Sequence, residues 1–87
     1  MHVAPPSPWY VYVVRCRDGT LYTGITTELD RRIKEHTRGE GCKYTASRRP
    51  VKLVYSEPHP NHSSALKREI KIKRFTRRGK ESLIKGS

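Results

Sequence analysis

The dipeptide Asp18-Gly19 stands between two runs of strand-forming residues, Tyr10–Arg15 and Leu21–Ile25. Glycine accepts the positive φ that tight hairpin turns need, so the two runs read as strands folded back on each other. The first run is almost continuous in apolar and aromatic side chains, the pattern of a strand covered on both faces. A hairpin of that kind sits inside a sheet and needs other elements packed over it.

The turn allows two registers. With a two-residue loop, Asp18-Gly19, Arg15 faces Tyr22 and Tyr12 faces Ile25, which sends Tyr12 and Tyr22 to opposite sides. With a three-residue loop, Arg17-Asp18-Gly19, and a left-handed Gly19, Val14 faces Tyr22 and Tyr12 faces Gly24. Both tyrosines then share a face, Gly24 leaves a gap opposite Tyr12, and Val11, Val13, Leu21 and Ile25 take the other face. The strand residues alone leave both registers open.

Beyond the hairpin, Thr27 has the character of a helix N-cap, with Glu28 and Asp30 placing negative charge in the first turn. The helix runs to about Thr37, carries Leu29, Ile33 and His36 on one face, and is stopped by Gly39 and Gly41. Residues 38–50 read as a basic loop, Val51–Tyr55 as a third strand, and "EPHPN" as a break. A second helix begins within Asn61–Ser64 and runs to about Phe75, and Thr76 caps a last helix bearing Leu83 and Ile84. The order β-β-α-β-α-α implies an α+β fold, a three-stranded antiparallel sheet flanked by helices. The proline-rich residues 1–8 read as a flexible N-terminal arm, and 9–85 as one domain. A chain of 87 residues leaves little room for an internal cofactor cavity.

Net charge is +11, which makes an anionic polymer, nucleic acid, the expected partner. Lys43, Arg48, Arg49, Lys71, Arg74, Arg77 and Arg78 are the candidate contacts. No apolar run is long enough to span a membrane, and the start lacks a signal-peptide pattern. Cys16 and Cys42 show neither CxxC nor zinc-type clustering and read as free thiols of a reducing cytosol.

Three further side chains stand out. Arg32 and His36 are one helical turn apart, with Arg32 at the edge of the packed face. Singly, each has an ordinary reading: Arg32 packs its stem, and His36 is a boundary histidine. Glu69 is the lone acid among the bases from Lys67 to Lys80, yet shares a stripe with Ala65 and Ile72. It is a salt-bridge partner or a metal ligand of the kind Mg²⁺ takes beside phosphate and water.

Taken together, "YVY" (10–12), "YTG" (22–24), "RR" (31–32), His36 and Glu69 resemble the GIY-YIG nuclease superfamily. "LYTGIT", "RRIKEH", "KYT" and "ALKRE" resemble its small stand-alone UPF0213 type, over about residues 8–84. The resemblance implies a metal-dependent endonuclease that hydrolyses DNA phosphodiester bonds with one divalent ion, Mg²⁺ or Mn²⁺. It carries Tyr12, Tyr22, Arg32, His36 and Glu69 into the active site, with Glu69 as metal ligand and Gly19 and Gly24 as structural glycines. It also selects the three-residue turn. Structure-selective or nonspecific cutting in DNA repair or recombination follows as an expectation, in bacterial cytosol or nucleoid, with RNA a second candidate substrate. Tyr10 stands where the family name has Gly, Thr23 where it has Ile, and Ile25 where some relatives carry Lys. The alternatives are a nucleic-acid-binding module with this fold and no turnover, and a protein-interaction adaptor.

Overall fold

The computed structural model describes residues 8–86, so the expected arm lies outside the described residues except for Pro8. Strands β1 (Trp9–Cys16), β2 (Leu21–Thr26) and β3 (Val51–His59) form one antiparallel sheet in the order β2-β1-β3. Helices α1 (Leu29–Arg38), α2 (Lys43–Ala46), α3 (His62–Lys73) and α4 (Arg77–Lys85) complete the described chain. The expected element order holds, with the one-turn α2 added inside the segment read as a loop.

The continuous apolar run is the central strand. Val11, Tyr12, Val13 and Val14 are all essentially buried, since β1 has a strand on each side and side chains over both faces. On one face Val11 packs with Ala65 and Ile72 of α3, extended by Trp9, Ile25, Phe75 and Leu83. On the other, Tyr12 meets His36 of α1.

The register is the three-residue one: Tyr12 pairs with Gly24 and Val14 with Tyr22. Cys16 N–H bonds the Thr20 carbonyl at 2.9 Å, and Gly19 sits at φ 85°, a conformation that Cβ-bearing residues rarely adopt. Asp18 braces the turn by accepting from the Thr20 amide and hydroxyl. Tyr12 and Tyr22 therefore share a face.

Three boundaries differ from the sequence reading. Thr27 is not the N-cap; Glu28 holds that position without a side-chain cap, and Thr26 Oγ1 accepts from the Glu28 amide instead. β3 continues through Pro58 to His59, because it is an edge strand and an edge proline forfeits no ladder bond that a neighbour needs. α3 ends at Lys73, short of Phe75. A bulge also separates the pairs Val13–Tyr55 and Val14–Leu53, leaving Val54 as the extra residue. It puts Tyr55 and Glu57 on the α3 face while Leu53 turns to the Tyr12 face.

Polar clamps fasten the helices. Asn61 and Thr76 cap α3 and α4 by accepting from Ser64 and Gly79 amides. Glu57 on β3 accepts from the Tyr55 hydroxyl and Arg68 and bonds His59, while His59 bonds Ser64 at 2.7 Å, which ties the edge strand to α3. Arg15 forks onto Glu81 at 2.8 and 2.9 Å and holds α4 to β1.

Candidate active site

The site forms where the hairpin, α1 and α2 converge. Tyr12 lays its ring across Gly24 of the neighbouring strand. A Cβ on Gly24 would lie 2.5 Å from the Tyr12 hydroxyl and 2.6 Å from Cζ, so only glycine admits this ring position. The hydroxyl ends 2.8 Å from His36 Nε2, and His36 Nδ1 lies 2.7 Å from Thr45 Oγ1. Thr45 Oγ1 also donates a long bond to the Cys42 carbonyl, which leaves its lone pairs to accept from Nδ1–H. That tautomer frees Nε2 to accept the Tyr12 proton. His36 is fully buried, so it is no boundary histidine, and Gly41 makes room for its ring as Gly24 does for Tyr12.

Arg32 lies at the rim of this cluster, about 29% exposed, donating to the Gly41 carbonyl at 3.0 Å and to Glu35 at 3.1 Å. Its guanidinium also acts on the Tyr12 hydroxyl. Tyr22 is half-buried, its ring 5.3 Å from His36, 6.5 Å from Tyr12 and 5.8 Å from Tyr44 between centroids. Glu69 projects from α3 with its side chain 14% exposed; its one ion pair among the described residues is Lys73 at 3.5 Å, and its charge is felt at Tyr12.

Burial decides the protonation states. It raises the Tyr12 phenol, against the pull of Arg32, and pushes Tyr22 up to about 12, helped by Cys42 and Tyr12. It lowers the His36 imidazole, and the Arg32 charge adds to that. Both phenols and His36 are accordingly neutral at pH 7. Burial works to raise the Cys42 thiol, but hydrogen bonds involving Thr45, Tyr22 and nearby backbone outweigh it and bring the thiol below its ordinary value.

The basic candidates divide into two sets. Arg48 pairs with Asp18 and bonds the Tyr44 carbonyl, Arg49 bonds the Ala46 and Arg38 carbonyls, and Arg77 pairs with Glu81. Lys43, Lys71, Arg74 and Arg78 are exposed and carry no ion pair among the described residues.

Residues 8–82 match the GIY-YIG catalytic domain. The chain belongs to the GIY-YIG family. A UPF0213 protein of Staphylococcus aureus strain Mu3 is 53% identical over 76 residues, covering 87% of this chain and 93% of that protein. The solution structure of a UPF0213 protein from Bacillus halodurans superposes with TM-score 0.59 at 45% identity, covering 90% of this chain and 83% of that one. That of an E. faecalis protein superposes with TM-score 0.64 at 42% identity, covering 97% and 90%. Membership of a family of nuclease catalytic domains supports a nuclease-type function with a nucleic acid as substrate. No helix among the described residues is long and apolar enough to cross a membrane.

In this GIY-YIG chain, sequence reasoning missed the contribution of residues 42–45. Cys42 and Thr45 line the site behind Tyr22 and His36, and Tyr44 stacks beside Tyr22. "KYT" was visible as a matching stretch, but nothing in its spacing says that Thr45 reaches a histidine nine residues earlier.

Proposed function

We propose that the protein is an endonuclease that hydrolyses DNA phosphodiester bonds with one divalent metal ion. The observation that carries this is the buried chain Tyr12–His36–Thr45 set against Arg32, with the Glu69 carboxylate nearby. Among the described residues no three His, Cys, Asp or Glu side chains gather as a metal cage. The donor available is one half-buried carboxylate with a single long ion pair, which suits a hard cation that takes its other ligands from phosphate and water. Glu69 is the residue that holds Mg²⁺ or Mn²⁺, and the bound ion supplies neutralising charge at the phosphoryl oxygens.

The protein's own groups divide the remaining work. Tyr22, Arg32 and Glu69 are the members that solvent reaches, so they meet the scissile phosphate and the attacking water. Arg32 stabilises the charge that develops on the equatorial oxygens, its guanidinium already oriented by its bonds to Gly41 and Glu35. Tyr12, 1% exposed, lies beneath and passes a proton released at the site to His36 Nε2. A neutral phenol is a poor base alone; its hydrogen bond to an imidazole with Nε2 free lets the oxygen take up one proton as it gives up another. Cutting is structure-selective or nonspecific, in the repair or recombination of bacterial cytoplasmic DNA.

The test is a nicking assay on supercoiled plasmid and branched oligonucleotides with Mg²⁺ or Mn²⁺. Cleavage by wild type that disappears in Glu69→Ala and Arg32→Ala, with thermal melting and DNA binding retained, supports the reading. Cleavage that survives Glu69→Ala sinks the site assignment. Binding without cutting under every metal leaves a nucleic-acid-binding module.

A further inference from the structure

Tyr44 is one of the few large hydrophobic side chains left exposed, at 39%, and it stands at the mouth of the site. Its ring lies 5.8 Å from that of Tyr22 with the planes 31° apart. Arg48 places its guanidinium carbon 3.9 Å from the Tyr44 ring centroid. The guanidinium is held by a bond from Nη1 to the Tyr44 carbonyl at 2.9 Å, with Asp18 as its ion-pair partner 3.2 Å from Nε. The bond to the Tyr44 carbonyl runs in the plane of the guanidinium and uses only its edge. One flat face covers Tyr44, and no second ring lies on Arg48 among the described residues. A stack of three planar groups, Tyr22, Tyr44 and Arg48, therefore leads from the site outward and ends in a flat cation.

We infer that this stack is a subsite for the base of an unpaired nucleotide next to the scissile phosphate, so that the preferred substrate has a single-stranded or extruded base at the point of cutting. The inference rests on the nuclease reading for the identity of the neighbouring phosphate. A base within a duplex has both faces occupied by its neighbours; only an unpaired one offers a face to an aromatic or guanidinium plane. The distance agrees. Stacked nucleotides rise about 3.4 Å each along a strand, and the step from Tyr22 to Tyr44 is 5.8 Å, one to two nucleotides from the site. A structural role is the competing explanation, since Tyr44 already rests on Tyr22. It does not account for leaving the aromatic exposed, nor for an arginine laid over it that carries no second ring among the described residues.

The experiment measures binding without divalent metal, so that cleavage does not enter. Anisotropy titrations at one salt concentration compare a single-stranded oligonucleotide with a duplex of the same sequence. Wild type binds the single strand more tightly, and 2-aminopurine in that strand is quenched on binding. Tyr44→Leu keeps bulk but loses the plane, and lowers the ratio of single-strand to duplex affinity about five- to a hundredfold, the worth of one base stack. Tyr44→Phe retains the ratio, and Arg48→Lys, which keeps charge without a plane, reduces it. Equal losses on both substrates, an unchanged ratio in Tyr44→Leu, or a wild-type preference for duplex would each overturn the subsite. Failure of the nuclease reading shows separately, as absent cutting with the ratio intact.

Discussion

Replacing Gly24 with alanine tests the core of the site with a single carbon atom. Gly24 has no positive φ, so alanine fits the backbone, and on entropy alone the change in a strand favours folding by about 0.4–1 kcal/mol. The new Cβ meets Tyr12 at 2.5 Å from the hydroxyl, 2.6 Å from Cζ and 3.0 Å from Cε2. Comfortable carbon contacts lie near 3.5–4.0 Å, so the ring must retreat by about 1 Å. It has nowhere to go: the ring is 1% exposed, on the central strand, and its hydroxyl is bonded to a fully buried histidine. Overpacking of this kind costs about 1–3 kcal/mol, and loosening the Tyr12–His36 bond adds about 1 kcal/mol or more. These outweigh the entropic gain, so Gly24→Ala destabilises by about 1–3 kcal/mol, seen as a lower urea midpoint at unchanged m. Nicking falls about a hundredfold, the usual effect of moving a reacting group by 1 Å. In a Tyr12→Leu background, without the atoms that clash, the same alanine costs little stability. Additive losses in that double-mutant cycle, or a Gly24→Ala protein as stable and active as wild type, would refute the steric account.

Other perturbations have equally definite signs. The folded-state His36 pKa is lowered, so as pH drops below about 6.5 the unfolded chain takes up a proton that the folded protein refuses. Stability therefore rises with pH through that window; urea midpoints from pH 5 to 7 should rise more steeply in wild type than in His36→Asn, and an equal slope would contradict it. Glu81 is held down to about 2 by Arg15 first and Arg77 next, so its contribution is present above about pH 4.5 and lost as pH falls towards 2. Glu81→Gln accordingly lowers Tm at pH 7 but converges with wild type in acid; a constant gap would show that the pair is not the cause. Thr23 buries a hydroxyl with no hydrogen-bond partner among the described residues, in the position where the family name has isoleucine. Thr23→Val should raise stability by about 1–2 kcal/mol in urea melts; an unchanged or lower midpoint would show that the hydroxyl is satisfied.

Hairpin, helices and much of the site were legible because each rests on short-range rules. The turn chemistry at Asp18-Gly19 narrowed the register to two, and the family resemblance chose between them; the Tyr12–Gly24 pairing then follows from strand alternation alone. Arg32 and His36 were legible as neighbours since a helix guarantees that four-residue spacing brings side chains together. What stayed hidden depends on contacts no local rule encodes. Residues 38–50 read as a loop because two glycines and a basic run carry no periodicity, yet one turn of helix there turns Thr45 inward and Tyr44 outward. His36 read singly as a boundary residue because α1 has few apolar side chains beside it; the α2 segment, arriving from beyond Gly41, is what buries it. The two site glycines show the same limit from another side. Gly24 was visible as a gap opposite Tyr12, since the strand pairing supplies its neighbour. Gly41 looked only like a helix stop, although the His36 ring it admits is as tightly placed. A glycine's steric role belongs to whichever side chain the fold brings to it, and for Gly41 that side chain comes from a preceding helix rather than a paired strand.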